Sequence, residues 1–359
     1  MTGLGLKIND RIRNRKIDFF NNFTLGLRFD SIGDTFGFGF YFNPDNAELK
    51  ELMCIGHYHE CEVTYNGETL VTGFTLGQDF TSASVRSFVQ ITGYSLTGVL
   101  ADCTIPTSIY PLQSNGLSLK QIAQKLIRPF NLKMVIDSSV EALMNGTFKA
   151  TTANETQTIE RYLSELATQK NIVMSHTEKG ELLFTKAKTK QTPILEFDVP
   201  NGKSLPGTTM KLNFNGQSMH SHITVMKQAD SDGGNAGEYT IRNPYVINTV
   251  YRPTTITQTS GDDNDTEKAA KTALAAELKN LKLTITTDRW LVDGKILKPN
   301  NLVTVINPEI YLYKKSTWFI ESIDFTGDET KTTATLHCVL PEVYNGETPV
   351  YLFKGINLH

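Results

Sequence analysis

The chain has 359 residues, 39% of them apolar and 20% charged, with a formal net charge of −3. That length exceeds one ordinary hydrophobic core and predicts two to about four domains, and the apolar content excludes a disordered chain. The mild negative balance excludes a global basic field for nonspecific binding to nucleic acid or an anionic membrane.

The start, Met1-Thr2-Gly3-Leu4-Gly5, lacks the charged and then apolar layout of a signal peptide. No run of about eighteen apolar residues follows anywhere, so neither a signal peptide nor a membrane span is expected. The basic cluster Arg11, Arg13, Arg15 and Lys16 reads as a solvated edge strand near the N-terminus. From Lys16 to about Thr104, aromatic and β-branched runs are broken by Gly, Asn and Asp, which predicts β-structure. Its clearest hairpin spans Glu62 to Gly73, where Asn66-Gly67 supplies the positive φ angles of a two-residue type I′ turn. A strand from Val85 to Thr92, ended by Gly93, is expected next.

The period then changes. Leu119, Ile122, Ala123, Leu126 and Ile127 share one helical face, with Ser118 and Gln121 as a capping box and Pro129 as the stop. Ile159, Tyr162, Leu163, Leu166 and Ala167 repeat the spacing, with Asn154 and Gln157 as the expected cap. Short strands at Lys133 to Ile136 and Glu181 to Thr185 complete a small α/β module. Beyond Pro193, strands are expected at Met210 to Phe214 and His222 to Lys227, followed by the polar loop Asp230-Ser231-Asp232-Gly233-Gly234-Asn235. A helix from Thr266 to Leu281 carries Ala270, Ala273, Leu274, Leu278 and Leu281 on one face, with Asn264 and Glu267 as its cap. Strands at Leu302 to Ile306, Trp318 to Phe325 and Thr333 to Leu340 close the chain, the last alternating apolar and polar. The predicted fold class is mainly β with an α+β insert. The expected domains are a first β-barrel at 1–110, an α/β insert at 111–192 and a second, related β-barrel at 193–359. The last holds one connecting helix at about 265–282 and a mobile polar loop at about 229–238.

Four soft ligands, Cys54, His57, His59 and Cys61, fall within eight residues and are the strongest candidate for metal. Zinc needs four side chains converging tetrahedrally. On a strand, His57, His59 and Cys61 would share a face while Cys54 has the other parity, so no metal is expected. His220-Ser221-His222 has no neighbouring Cys or carboxylate in sequence and reads as the polar face of a strand. Gly93-Tyr94-Ser95-Leu96-Thr97-Gly98 has the wrong spacing for a nucleophile elbow. Asp262-Asp263 beside Gly261 reads as loop and helix-capping chemistry. No phosphate-binding loop or dinucleotide fingerprint is present, so neither enzyme activity nor a cofactor is expected.

Three stretches together resemble the phage tail hub family that includes the phage Mu hub, the P2 late-control D protein and the T4 hub protein. One is Asn66-Gly67-Glu68-Thr69-Leu70-Val71-Thr72-Gly73 with Gly93-Tyr94-Ser95-Leu96-Thr97-Gly98-Val99-Leu100-Ala101-Asp102-Cys103. Another is His220-Ser221-His222-Ile223-Thr224-Val225 ahead of a polar loop. The third runs from the helix at Thr266 through Leu283-Thr284-Ile285-Thr286, Trp290 and Leu297-Lys298-Pro299-Asn300-Asn301-Leu302-Val303-Thr304-Val305 to Phe319-Ile320-Glu321-Ser322-Ile323-Asp324-Phe325. The sequence departs from the Mu type in carrying Leu297-Lys298 before Pro299, where that type has Trp, and in its longer aromatic run from Phe36 to Phe42.

The resemblance implies a virion protein of the tail baseplate, assembled in the host cytoplasm. It implies a homotrimer whose paired barrels form a pseudo-six-fold ring between a three-fold central spike and a six-fold tail tube, with baseplate wedge proteins around it. DNA passes such a ring without specific binding, and no membrane insertion is implied. Tailocin and type VI-like machines share the part. A different reading, a cell-envelope glycan binder, rests on Leu117-Ser118-Leu119-Lys120-Gln121-Ile122-Ala123, which faintly resembles a LysM start. Partner contacts are expected from side chains not spent on a core, with Phe36, Phe38, Phe40 and Tyr41 in one segment and Tyr311 and Tyr313 in another as candidates.

Overall fold

The structure is a computed structural model and describes residues 3–9, 14–17, 19–227, 237–246, 250–258 and 265–353. Arg11 and Arg13, the polar loop at 230–235 with most of the 229–238 stretch, Asp262, Asp263 and Asn264 lie outside the described residues. The chain divides into two compact units, Met1–Lys186 with Ile323–Ala334, and Ala187–Ser322 with Thr335–His359.

The first unit begins with strands β1 (Leu4–Asn9), β2 (Asn14–Ile17), β3 (Asn22–Arg28) and β4 (Thr35–Tyr41), and a short helix α1 (Ala47–Leu52). Strands β5 (Glu60–Tyr65), β6 (Glu68–Thr81) and β7 (Phe88–Ser95) follow. Their order is β2-β1-β5-β6-β7-β4-β3, and β3 is flanked on its far side by the strand segment within Ile323–Ala334. β2 ends this order, so the described part of the basic cluster does lie on an edge strand. There Arg15 pairs with Glu51 at 3.1 Å and donates to the Glu48 carbonyl. The β5–β6 turn has Asn66 at φ 49° and Gly67 at φ 84°, as a type I′ hairpin requires. β7 starts at Phe88 and continues through Gly93 to Ser95, and Val85 stands 87% exposed in the connection before it. Gly93 is tolerated in the strand because the Phe74 carbonyl and the Phe36 ring press where a Cβ would be.

The rest of the first unit is the α/β module. It has helices α2 (Val99–Asp102), α3 (Leu119–Ile127), α4 (Glu141–Met144) and α5 (Ile159–Gln169), and strands β8 (Met134–Ile136), β9 (Val173–His176) and β10 (Leu182–Thr185) in the order β8-β10-β9. Its core joins Leu119, Ile122, Leu126, Ile159, Leu163 and Phe184, with Ile32 from the β3–β4 loop added. Ser118 and Gln121 form the expected capping box. The cap of α5 differs from expectation. Thr158 accepts from the Arg161 N–H, while Asn154 and Gln157 bond to each other in the preceding turn.

The second unit contains β11 (Leu195–Asp198), β12 (Thr209–Phe214), β13 (His222–Lys227), β14 (Glu238–Arg242), β15 (Pro253–Gln258) and helix α6 (Thr266–Leu278). After them come β16 (Leu281–Thr287), the small hairpin β17 (Leu291–Val292) and β18 (Lys295–Ile296), β19 (Asn301–Asn307), β20 (Leu312–Asp328), β21 (Thr332–Val339) and α7 (Glu342–Asn345). One sheet runs β12-β16-β21-β20-β19-β11, and a second runs β14-β13-β15. β20 begins in this unit and ends in the first, and β21 returns. Asp265 caps α6 by accepting from Lys268, and Leu281 begins β16 instead of ending the helix. The fold class is mainly β with an α/β module, with large sheets. The strand pairings run as connected orders through the large sheets.

Candidate functional site

Aromatic side chains gather at one place in the second unit, and three chain segments bring them there. Asn307 ends β19, and the short turn Pro308–Ile310 delivers Tyr311 in a left-handed conformation, φ 69°. That residue leads into β20, so Tyr311 and Tyr313 emerge side by side, with ring centroids 5.5 Å apart in an edge-on pair. The chain after α7 then crosses as an irregular strap. Phe353 stands 6.2 Å from Tyr311, and Tyr351 stands 5.4 Å from Phe353. Tyr245, just past β14, anchors the far end at 5.4 Å from Tyr351 and donates its hydroxyl to the Val350 carbonyl at 3.2 Å. Burial pushes the Tyr245 phenol well up, which keeps it a neutral donor.

The result is a graded series of five rings. Tyr245 is buried, whereas Tyr311 and Tyr313 are 46% and 50% exposed. Lys315 beside them pairs with Glu196 at 2.6 Å, and Lys190 ties the strap to the body through Glu347 at 2.9 Å. Rigid, half-exposed aromatic rings with few rotamers to immobilise suit protein docking. Sequence reasoning reached Tyr311 and Tyr313 but missed Tyr245, Tyr351 and Phe353. The alternation Tyr351-Leu352-Phe353 was the available signal.

In the first unit, Phe36, Phe38 and Phe40 turn to one face of β4 and are buried, with Phe38 5.0 Å from Phe20 and 6.2 Å from Phe36. Gly37 and Gly39 occupy the other face, where Thr24, Asn22 and Gln90 leave no room for a side chain. The three phenylalanines are therefore core residues of this chain and leave the surface to Tyr41. Its ring is half-exposed, 4.6 Å from Phe88 and 4.6 Å beneath the Arg86 guanidinium.

The Cys54, His57, His59 and Cys61 group does not sit on one strand. Only Cys61 belongs to β5, and it is buried, while Cys54 is exposed past the end of α1. His59 is held by the Leu52 carbonyl at 3.0 Å. Among the described residues no set of three His, Cys, Asp or Glu side chains converges as metal ligands. His220 does meet a carboxylate, supplied by Glu277 of α6. The Nδ1–Oε1 distance is 2.6 Å, and the His220 backbone N–H donates to Oε2 at 2.8 Å. Ser221 beside it accepts from the Arg252 N–H, so this cluster pins helix to sheet.

With that geometry in view, residues 97–186 match the family described as baseplate hub protein gp44-like, second domain. The chain resembles the phage baseplate hub family. Its fold is shared with the 43 kDa tail protein of prophage MuSo2 from Shewanella oneidensis, at a TM-score of 0.78 and 18% identity, over 95% of this chain and 99% of that one. A tail protein of Neisseria meningitidis MC58 gives 0.77 and 19%, over 96% and 99%. An Escherichia coli component of the type VI secretion system gives 0.55 and 11%, over 97% and 80%. No curated protein matches the chain in sequence. In this hub-like chain the matched domain is the α/β module, which begins just after β7, and the aromatic cluster lies outside it, in the second unit.

Proposed function

We propose that the chain is the structural hub of a contractile phage-type tail baseplate, a trimeric symmetry adaptor and not an enzyme. The observation that carries this reading is the hub-family module at 97–186 set within a fold shared almost end to end with two tail proteins. A three-fold spike and a six-fold tube cannot meet through equivalent contacts, so the part between them must present both symmetries. Under this reading three copies form the ring and the central spike binds below. Tail tube protein assembles above, wedge proteins attach outside, and DNA passes through without specific recognition. The ring would assemble in the host cytoplasm and end in the virion. The likeness to a type VI component favours an injection machine in general, so a tailocin or secretion hub is the second reading.

The test is the mass of the purified chain by sedimentation, alone and with its cognate spike. Three copies per particle are expected at micromolar concentration. Monomer mass alone in the presence of the spike would overturn the proposal.

A further inference from the structure

The α/β module meets the first β-layer at the loop of residues 29–34 between β3 and β4, and Thr72 of β6 adds a hydrogen bond to the Glu178 carbonyl at 2.8 Å. Ile32 inserts from that loop into the module core and is 2% exposed. The Thr97 hydroxyl donates to the Ile32 carbonyl. Beside this plug sits His176, the last residue of β9. Its Nε2 lies 2.9 Å from Asp34 Oδ2 and its Nδ1 lies 2.9 Å from the Ser31 carbonyl oxygen. The two side chains are 4% and 7% exposed. Asp34 cannot turn away, because its Oδ1 accepts the Arg28 backbone N–H at 2.7 Å and its own N–H donates to Ser95 Oγ at 2.9 Å.

Both imidazole nitrogens therefore face oxygen acceptors. A carbonyl never donates, so Nδ1 must carry hydrogen. A second proton must lie between Nε2 and Oδ2, whichever atom holds it. A neutral imidazole facing a carboxylate has one proton too few. It would set a nitrogen lone pair against an oxygen lone pair in a site closed to water, and an unsatisfied buried group is costly.

We propose that His176 and Asp34 form a proton-dependent latch that holds the 97–186 module on the β3–β4 loop and loosens when their shared proton is lost. The other charges near the pair act in the same direction or stand aside. Glu178, on the turn after β9, adds negative charge. Arg28 gives only its backbone N–H to Asp34 and sends its guanidinium to Asp324 at 2.6 Å. Ser95 and Thr97, from the end of β7 and the turn after it, bring no charge. Burial pushes the His176 imidazole down, but the Asp34 charge and hydrogen bond, the Ser31 carbonyl and Glu178 together outweigh it, and the net direction is up from 6.5. A group whose value is raised on folding contributes its stability in full below the unfolded value and loses it as pH rises through the folded value. The latch is therefore fully closed below the ordinary imidazole value of about 6.5 and weakens as the pH rises from there through the elevated folded value.

The test uses the full chain and two readouts across pH, deuterium exchange at the imidazole C2 of each histidine and amide exchange in β9 and β10 corrected for intrinsic rates. The expected midpoint for His176 lies above the ordinary value of about 6.5. As the pH rises from that ordinary value to the elevated midpoint, module amides should open up to about ten-fold faster per unit of pH, and above the midpoint the rate should level off. In His176→Gln, protection should be lower below that midpoint and its pH dependence lost. A His176 midpoint at or below the ordinary value would overturn the latch, and so would identical pH dependence in wild type and His176→Gln. If His176→Gln does not fold, Asp34→Asn keeps the imidazole and should lower its midpoint, and an unchanged midpoint there would equally overturn it.

Discussion

Cys61 of β5 is buried, and burial with Glu60 and Glu62 on either side pushes its thiol up to about 12. Cys338 of β21 is pushed up as well, by burial first and then by Glu321. The thiolate is the reactive form, so both residues are inert at neutral pH. Cys54, in contrast, is exposed. A disulfide reagent at pH 8 should modify Cys54 rapidly in the native chain and reach Cys61 and Cys338 only on unfolding. Native-state labelling of Cys61 at the Cys54 rate would contradict its place in the sheet. Gly93 makes a second case at this scale. A Cβ there meets the Phe74 carbonyl and the Phe36 ring, and backbone cannot move aside as a flexible side chain can. Gly93→Ala should cost about 1–3 kcal/mol by overpacking, read as a lower denaturant midpoint with unchanged slope.

Helix α3 shows how far local signals reach. Ser118 Oγ accepts from the Gln121 N–H at 3.3 Å, and the Gln121 side chain accepts from the Ser118 N–H at 2.9 Å. Ser118→Ala should destabilise the chain by about 1 kcal/mol, measurable by thermal or denaturant unfolding, and no loss at all would deny the cap its role. The box was legible in the sequence because all its parts lie within four residues, and the Asn66-Gly67 turn was legible for the same reason. The cap of α5 was misread because Asn154-x-x-Gln157 has the same lettering, yet its bonds close a turn one step before Thr158. The end of α6 was misread because Leu281 fits the helical period and the strand period alike. Contacts between distant segments left no local trace. Glu277 lies 57 positions from His220, and Asp34 lies far from His176 in sequence, so two histidines hydrogen-bonded to carboxylates looked like isolated polar residues. Phe36, Phe38 and Phe40 looked available because the glycines between them hid a strand buried on both faces.

For the whole molecule, the family resemblance was carried by the order of weak motifs and not by any one of them. In a hub, surface side chains must recognise partners while the sheets spend their apolar faces on their own cores. Under the proposed hub function, Tyr311 and Tyr313 are the residues we propose for that role, because their rings are half-exposed and braced from behind by Phe353, Tyr351 and Tyr245. Replacing both with Ser removes ring contacts at the open end of the series and leaves the Tyr245–Val350 hydrogen bond in place, so the fold should lose no more than about 1 kcal/mol. Docking should respond very differently, since truncating a central aromatic anchor typically costs about 2 kcal/mol or more of binding energy. Two such losses would weaken a partner by roughly a thousand-fold at about 1.4 kcal/mol per decade. The expected outcome for Tyr311→Ser with Tyr313→Ser is a melting temperature lowered by no more than about 4 °C and an unchanged oligomer mass, with tube subunits no longer polymerising on the particle. Polymerisation at the wild-type rate would remove this cluster from the tube interface and shift attention to Tyr41 and Arg86 in the first unit.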